Sequence, residues 1–352
     1  MPPAKTLAAG LRRRKYLASL VLLVSLFLLI LFLISRPRSI PALSNPALWP
    51  QRTCDYAGGR WVPDASTDSH LRYDHTCKEI FKGWNCIANG KRNGRSLLHW
   101  RWKPAGCELL PRLDPHQFLE RHMNTNIAFI KVICKWSASP DGGPLESLGY
   151  KQGYRVDVDI PDQTWADATS FHDILIFNTG HWWWAPSKFD PIQSPMVFFE
   201  KGMPIIPPLL PPEGLDLALK HMITFVNKAM RPNGMKFFRT QSPRHFEGGD
   251  WNEGGSCQRD QPLSSEEVKE IFSVDNNGTN TEVRLVNQHL MKALEQSTFR
   301  VLNITHMSEF RADAHPSTTG GKKHDDCMHW CLPGPTDTWN DLLAANLAAT
   351  DS

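Results

Sequence analysis

From Tyr16 to Ser35 the chain reads YLASLVLLVSLFLLILFLIS, a stretch without a single charge. A helix rises about 1.5 Å per residue, so this length crosses a hydrocarbon core of about 30 Å. Arg12, Arg13, Arg14 and Lys15 precede it and only Arg36 and Arg38 follow closely. The positive-inside rule therefore leaves residues 1–15 as a cytosolic tail and sends the rest of the chain into a lumen or outside the cell. The alternative, a cleaved signal peptide, has a shorter apolar region followed by a small-x-small site. The expectation is a signal anchor over 16–35, embedded in the lipid bilayer.

That topology constrains everything downstream. Cys54, Cys77, Cys86, Cys107, Cys134, Cys257, Cys327 and Cys331 all follow the anchor. Eight cysteines in an oxidising compartment favour disulfides over a zinc site, and no metal is expected. Spacing alone does not choose among the pairings. Asn277-Gly278-Thr279 and Asn303-Ile304-Thr305 are glycosylation sequons, usable only in such a compartment.

The 352 residues, 41% of them apolar, suffice for one large core or two modest ones. The balance of 39 basic against 36 acidic residues gives +3, with several of the positive charges ahead of the anchor. This excludes a nucleic-acid footprint. The thirteen tryptophans mostly fill interiors, but exposed indoles also suit stacking on sugar rings.

Residues 36–52 are proline-rich and unpatterned, a stem between bilayer and folded part. Residues 53–107 shift to cysteine, tryptophan, glycine and asparagine with few aliphatic runs, which reads as a small disulfide-stapled module. From residue 108 onward strands and helices alternate. NIAFIKVI, YRVDVDI, HDILIFNTG, KFFRTQS and FRVLNITHMSEF read as strands. FLERHMN, GLDLALKHMITFVNKAM, SSEEVKEIF, EVRLVNQHLMKALEQ and TWNDLLAANL read as helices. Such alternation predicts an α/β domain, a parallel sheet covered by helices, with its working residues on loops at the carboxyl ends of strands.

Near the end stands Asp326-Cys327-Met328-His329. On one helical turn a carboxylate and an imidazole three apart project from the same side, close enough for the carboxylate to hold one ring nitrogen. The other nitrogen then faces outward as a general base for a serine hydroxyl. A surface turn or a metal cluster competes with this reading of so short a motif.

The strings CDYAGGRWVPD, WNCIANGK, HWRWKPAGC, FNTGHWWW, RTQSPRHFEGGDWNEGGSC and DCMHWCLPGPTDTWNDLL resemble the plant trichome birefringence-like family, in the same order and from about Thr53 to the end. The resemblance implies an SGNH-hydrolase-like three-layer sandwich with a central, mainly parallel sheet over residues 108–352, behind the cysteine-rich module. It implies a single-pass type II Golgi membrane protein with its catalytic domain in the lumen. The activity implied is acetyl transfer from a donor onto a cell-wall polysaccharide, xylan first and pectin second, with no cofactor. By the same resemblance Asp326 and His329 are two members of a serine triad. His329 deprotonates the serine of a Gly-Asp-Ser motif after the first strand, an acetyl-serine forms, and a sugar hydroxyl attacks it. Asn178 and Gly180 fall in the oxyanion region. His181, Arg244 and His245 are pocket candidates, although the loop from Arg244 to Trp251 reads equally well as an ion-paired structural element, and His315 reads as a surface residue. The implied bridges are Cys54–Cys107, Cys86–Cys331 and Cys257–Cys327.

The chain departs from the family pattern in three places: the region up to Tyr154 is short, AHPSTTGGKKHDDC is short ahead of Asp326, and the nucleophile segment is missing. It contains no Gly-Asp-Ser, and NIAFI runs directly into KVICKWSASPDGG. Ser137 and Ser139 lie nearby but not on a strand-to-elbow turn. Three functions follow: an acetyltransferase whose present form lacks its nucleophile, a non-catalytic wall-polysaccharide binder, or an acetyl esterase.

Overall fold

A computed structural model describes residues 54–65, 72–122, 125, 127–130, 133–139, 143–184, 195–273 and 280–349. The tail, the anchor over 16–35, the stem and Asn277 lie outside them. Among the described residues no helix is long and apolar enough to cross a membrane.

The cysteine-rich module pairs β1 (Gly59–Pro63) antiparallel with β2 (Trp100–Pro104). Helix α1 (Pro115–His122) leads into β3 (Ile127–Ile130). Next come β4 (Lys135–Ser139), β5 (Gly153–Asp157), β6 (Ile174–Phe177), β7 (Met196–Glu200) and β8 (Met203–Pro204). They are followed by α2 (Pro211–Ala229), β9 (Met235–Arg239), α3 (Ser265–Ile271) and α4 (Thr281–Leu294). The chain closes with β10 (Arg300–Leu302), α5 (Thr305–Glu309) and α6 (Thr336–Ala348).

One sheet runs β10-β9-β6-β3, every pair parallel. Its centre, β6, is the run Ile-Leu-Ile-Phe, buried on both faces as parallel strands are. Alternate side chains go to opposite sides. Leu175 and Phe177 join Phe238, Leu215, Leu219 and Leu290 in one core. Ile174 and Ile176 join Phe237, Val268, Leu302, Met307 and Leu342 in the other. Helices α2 and α4 thus cover one face, and α3, α5 and α6 the other, giving three layers.

Two expectations need correction. The α/β sheet is not continuous: β4, β5, β7 and β8 form a second sheet, mixed in direction, with β3 left at the edge of the first. Both sheets still feed one core, since Val156 and Phe198 pack with Ile130 and Phe177. FRVLNITHMSEF also carries strand only over Arg300–Leu302. Ile304 turns inward there, completely buried, and Thr305–Glu309 is helix.

The module is fastened onto the second core. Trp61 and Trp102 belong to it, Trp61 Nε1 donates to the Met307 carbonyl at 2.7 Å, and the Arg311 guanidinium lies 4.6 Å over the Trp61 ring. Arg72 pairs with Asp341 and donates to the Asp337 carbonyl at 2.8 Å. Three bridges, Cys54–Cys107, Cys86–Cys331 and Cys257–Cys327, are the pairs that the resemblance implied. Cys77 and Cys134 remain thiols.

Candidate active site

The carboxyl ends of β3, β6, β9 and β10 lie at one edge of the parallel sheet. The segment 315–331 is tied to the chain leaving β9 by His245 N to the Cys327 carbonyl at 3.2 Å and Trp330 Nε1 to Ser242 Oγ at 3.3 Å. Asp326 and His329 do meet, though not on a helical turn. Asp326 sits in an extended bridge opposite Ser317, with reciprocal backbone bonds of 3.1 and 3.2 Å, and the chain then bends. Within the bend one oxygen of Asp326 accepts from His329 N at 3.1 Å and meets His329 Nδ1 at 2.9 Å. Its second oxygen accepts from Lys322 Nζ at 2.7 Å. Burial works against the charge on Asp326, but the bonds from His329 and Lys322 outweigh it and hold the carboxyl well below the usual carboxylate range. A charged Asp326 favours the His329 proton on Nδ1, where the carboxylate accepts it, and leaves Nε2 facing outward.

The His329 side chain is 53% exposed, and one ring face lies against Trp84, centroids 4.9 Å apart and planes 23° off parallel. Trp84 comes from the cysteine-rich module. The Cys86–Cys331 bridge and a 2.8 Å bond from Leu332 N to the Trp84 carbonyl bring it there. Nε2 of His329 meets no hydroxyl among the described residues. Ser137 sits on β4 opposite Arg155 and Ser139 opposite Gly153, both in the second sheet.

Asn178 follows β6 directly, and its backbone N–H donates to the Ile130 carbonyl at 2.8 Å, which places it beside the end of β3. Its Nδ2 is buried with no hydrogen-bond partner among the described residues. An orphaned buried amide is costly and calls for an explanation. Gly180 is required by a close approach: a Cβ there would stand 2.1 Å from Gln241 Oε1. That Gln241 amide lies 2.6 Å from His181 Nε2. Burial, helped by Arg244 and His329, pushes His181 down to about 3, so it is a neutral acceptor.

The remaining pocket candidates are internal. Arg244 is buried, paired with Glu282 at 2.7 Å and Asp250 at 3.3 Å, so its loop is held by ion pairs instead of opening onto a groove. His245 is buried too, its Nδ1 2.7 Å from His315 Nε2 and its Nε2 2.9 Å from the Glu309 carbonyl. His315, completely buried and not on the surface, reaches the His329 carbonyl at 2.7 Å. Burial drives His245 down to about 4 and His315 also well down. Neutral, the two rings carry two protons for three contacts. One of the three contacts therefore lacks a donor hydrogen, and the pair packs behind the bend that carries Asp326 and His329.

The cluster Cys257, Asp325 and Cys327 has the spacing of a metal site, but the two sulfurs are bonded to each other. Asp325 instead accepts from Ser317 Oγ at 2.8 Å and Gln258 Nε2 at 2.9 Å, bracing the bend. Asn303 is half-buried at the end of β10. Its oxygen accepts from Thr305 N at 3.3 Å while Thr305 Oγ1 donates to Thr240 Oγ1 at 2.8 Å. Sequence reading missed Lys322, Gln241 and Trp84. The four-residue spacing of Lys322 and Asp326 was a usable signal, whereas Trp84 had only its closeness to Cys86.

A three-layer α/β sandwich carrying an aspartate-fixed histidine and an orphaned amide at one strand edge belongs to the esterase-like acyl-transfer proteins. Residues 144–346 match the "GDSL/SGNH-like Acyl-Esterase family found in Pmr5 and Cas1p", and residues 52–108 match the "PMR5 N terminal Domain". The chain is 52% identical to Protein trichome birefringence-like 13 of Arabidopsis thaliana, over 94% of this chain and 95% of that protein. It is 38% identical to Protein trichome birefringence-like 12 of the same plant, over 86% and 87%. With Xyloglucan O-acetyltransferase 3 of Populus trichocarpa it shares 26% identity over 92% and 95%. The chain belongs to the trichome birefringence-like family of plant polysaccharide O-acetyltransferases. The first of these pairings runs over 395 positions, more than the 352 residues of this chain, so stretches of that relative have no counterpart here. The esterase match itself begins at residue 144, after the end of β3.

Proposed function

We propose that this chain is a wall-polysaccharide O-acetyltransferase in a form that keeps the base, the oxyanion donor and the acceptor site but lacks the nucleophile. It holds its glycan without transferring acetyl. The observation that carries this is the His329 Nε2, fixed by Asp326 and half-exposed, with no Gly-Asp-Ser after β3 to serve. The acceptor is a wall polysaccharide. Xylan is the leading choice, xyloglucan follows from relatives named for its acetylation, and pectin is the acidic alternative. Residues 16–35 anchor the chain in the Golgi membrane as a single-pass type II protein, with the folded part lumenal, where its disulfides persist.

The chemistry sets the expectation for the missing part. A serine placed after Ile130 stands at the carboxyl end of β3, next to Asn178. His329 takes its proton, the hydroxyl oxygen attacks the donor carbonyl, and Asn178 Nδ2 meets the oxyanion. Collapse of the oxyanion to acetyl-serine then breaks the bond to the donor's leaving group, which takes the proton from His329. Without that serine, positioning and oxyanion contacts leave only a small fraction of the rate. The test is acetyl transfer to xylo-oligosaccharides, read by mass spectrometry. The full chain is expected to match its Asp326→Ala, His329→Ala double variant, and insertion of a Gly-Asp-Ser segment between Ile130 and Lys131 is expected to raise transfer. Transfer by the unaltered chain that His329→Ala abolishes would refute the proposal.

A further inference from the structure

The turn Phe81–Trp84 belongs to the cysteine-rich module, yet it is built into the catalytic bend. Trp84 N donates to the Phe81 carbonyl at 2.8 Å, Cys86 N to the Trp84 carbonyl at 2.9 Å, and Asn89 Nδ2 to the Lys82 carbonyl at 2.8 Å. The Cys86–Cys331 bridge and the Leu332 N bond to the same Trp84 carbonyl then lock it to the bend. On this rigid base the Phe81 ring stands edge-on to Trp84, centroids 5.0 Å apart, and is 62% exposed. Gly83 makes room for it: a Cβ there would sit 2.8 Å from the Phe81 ring and 3.6 Å from Lys322 Cε.

A lone exposed phenylalanine needs no explanation. This one is held by a turn with three main-chain anchors, and two ring contacts, of 5.0 and 4.9 Å, connect it to the His329 imidazole. Lys322 beside Phe81 is engaged by Asp326, and the exposed Lys82 follows Phe81 in the same turn. What such a surface offers is a flat apolar edge continuous with a polar, hydrogen-bonding one. That matches a pyranose ring, whose axial C–H groups present an apolar face and whose rim carries hydroxyls.

We infer that Phe81 and Trp84 form one wall of the acceptor site, stacking a neutral pyranose of the glycan backbone beside His329, so that the cysteine-rich module helps select the acceptor. The inference rests on the reading of this chain as a wall-glycan protein. It makes Phe81 a binding residue and Trp84 both a binding residue and the support of the His329 ring.

The test uses the full chain in detergent and measures affinity for xylohexaose, a xyloglucan oligosaccharide and an oligogalacturonide. Phe81→Ala is expected to weaken the two neutral probes about three- to tenfold, the range of one aromatic contact, with an unchanged melting temperature. Phe81→Trp is expected to restore them. Phe171, 53% exposed and ahead of the amino end of β6, is the control, and Phe171→Ala leaves affinity intact. Neutral-glycan binding by the wild type that Phe81→Ala does not change overturns this inference and leaves the proposed function standing. Binding of the oligogalacturonide alone, insensitive to Phe81→Ala, also overturns it. No binding of any probe by the wild type overturns both.

Discussion

Removing the Cys86–Cys331 bridge, as Cys86→Ala with Cys331→Ala, is expected to loosen both the fold and the site. The bridge closes 245 residues of chain, against 53 for Cys54–Cys107. In the chain-entropy model a loop of the longer size restrains the unfolded state by about 5 kcal/mol, and one of the shorter size by about 4 kcal/mol. The Cys257–Cys327 bridge bypasses 70 residues of the longer path and changes the figure little, because the cost grows only with the logarithm of length. Native contacts add to the difference: Cys86 and Cys331 are buried with Leu97, Ala314 and Trp330, and they hold Trp84 on His329. The assay is urea unfolding without reductant, followed by tryptophan fluorescence. The expected loss is about 3–5 kcal/mol and exceeds that of the Cys54→Ala, Cys107→Ala variant. A loss below about 1 kcal/mol, or one smaller than that of the shorter loop, would refute the reasoning.

Gly180→Ala is expected to cost about 1–3 kcal/mol, because its methyl displaces the Gln241 amide from His181; an unchanged melting temperature would count against that contact. Arg244→Ala strips the partner from Glu282, whose pKa burial already raises, and from Asp250, so it should destabilise by about 3–5 kcal/mol, far more than an exposed arginine. Stability should fall with acid. His181 and His245 are held near 3 and 4 against 6.5 in an unfolded chain. Such depressed groups leave stability full above 6.5 and erode it as pH falls from there toward 4, by about 1.4 kcal/mol per unit for each group. A melting temperature constant between pH 7 and 5 would contradict this.

The parallel sheet was legible because β6 and β9 are short apolar runs and α2 and α4 carry helical periodicity. The two-sheet arrangement was not, because strand pairing is set by which edges meet, and YRVDVDI reads the same in either sheet. Asp326 and His329 could be paired from spacing but not their bend, since three residues apart fits a helix and an aspartate-capped turn alike. The burial of Arg244, His245 and His315 was hidden for a common reason. Polar residues in sequence look like surface, and only the partners brought by Glu282, Glu309 and the His329 carbonyl make their burial tolerable. Trp84 lies too far along the chain from His329 for any local pattern to connect them.

The central claim is that the base is present and the nucleophile is not. A fluorophosphonate probe, which labels serines activated by such a base, tests it directly on the full chain. The unaltered chain is expected to show no labelling above that of His329→Ala, and His329-dependent labelling is expected once a Gly-Asp-Ser segment is inserted after Ile130. Stoichiometric, His329-dependent labelling of the unaltered chain would contradict the claim and would identify the serine that it holds to be missing.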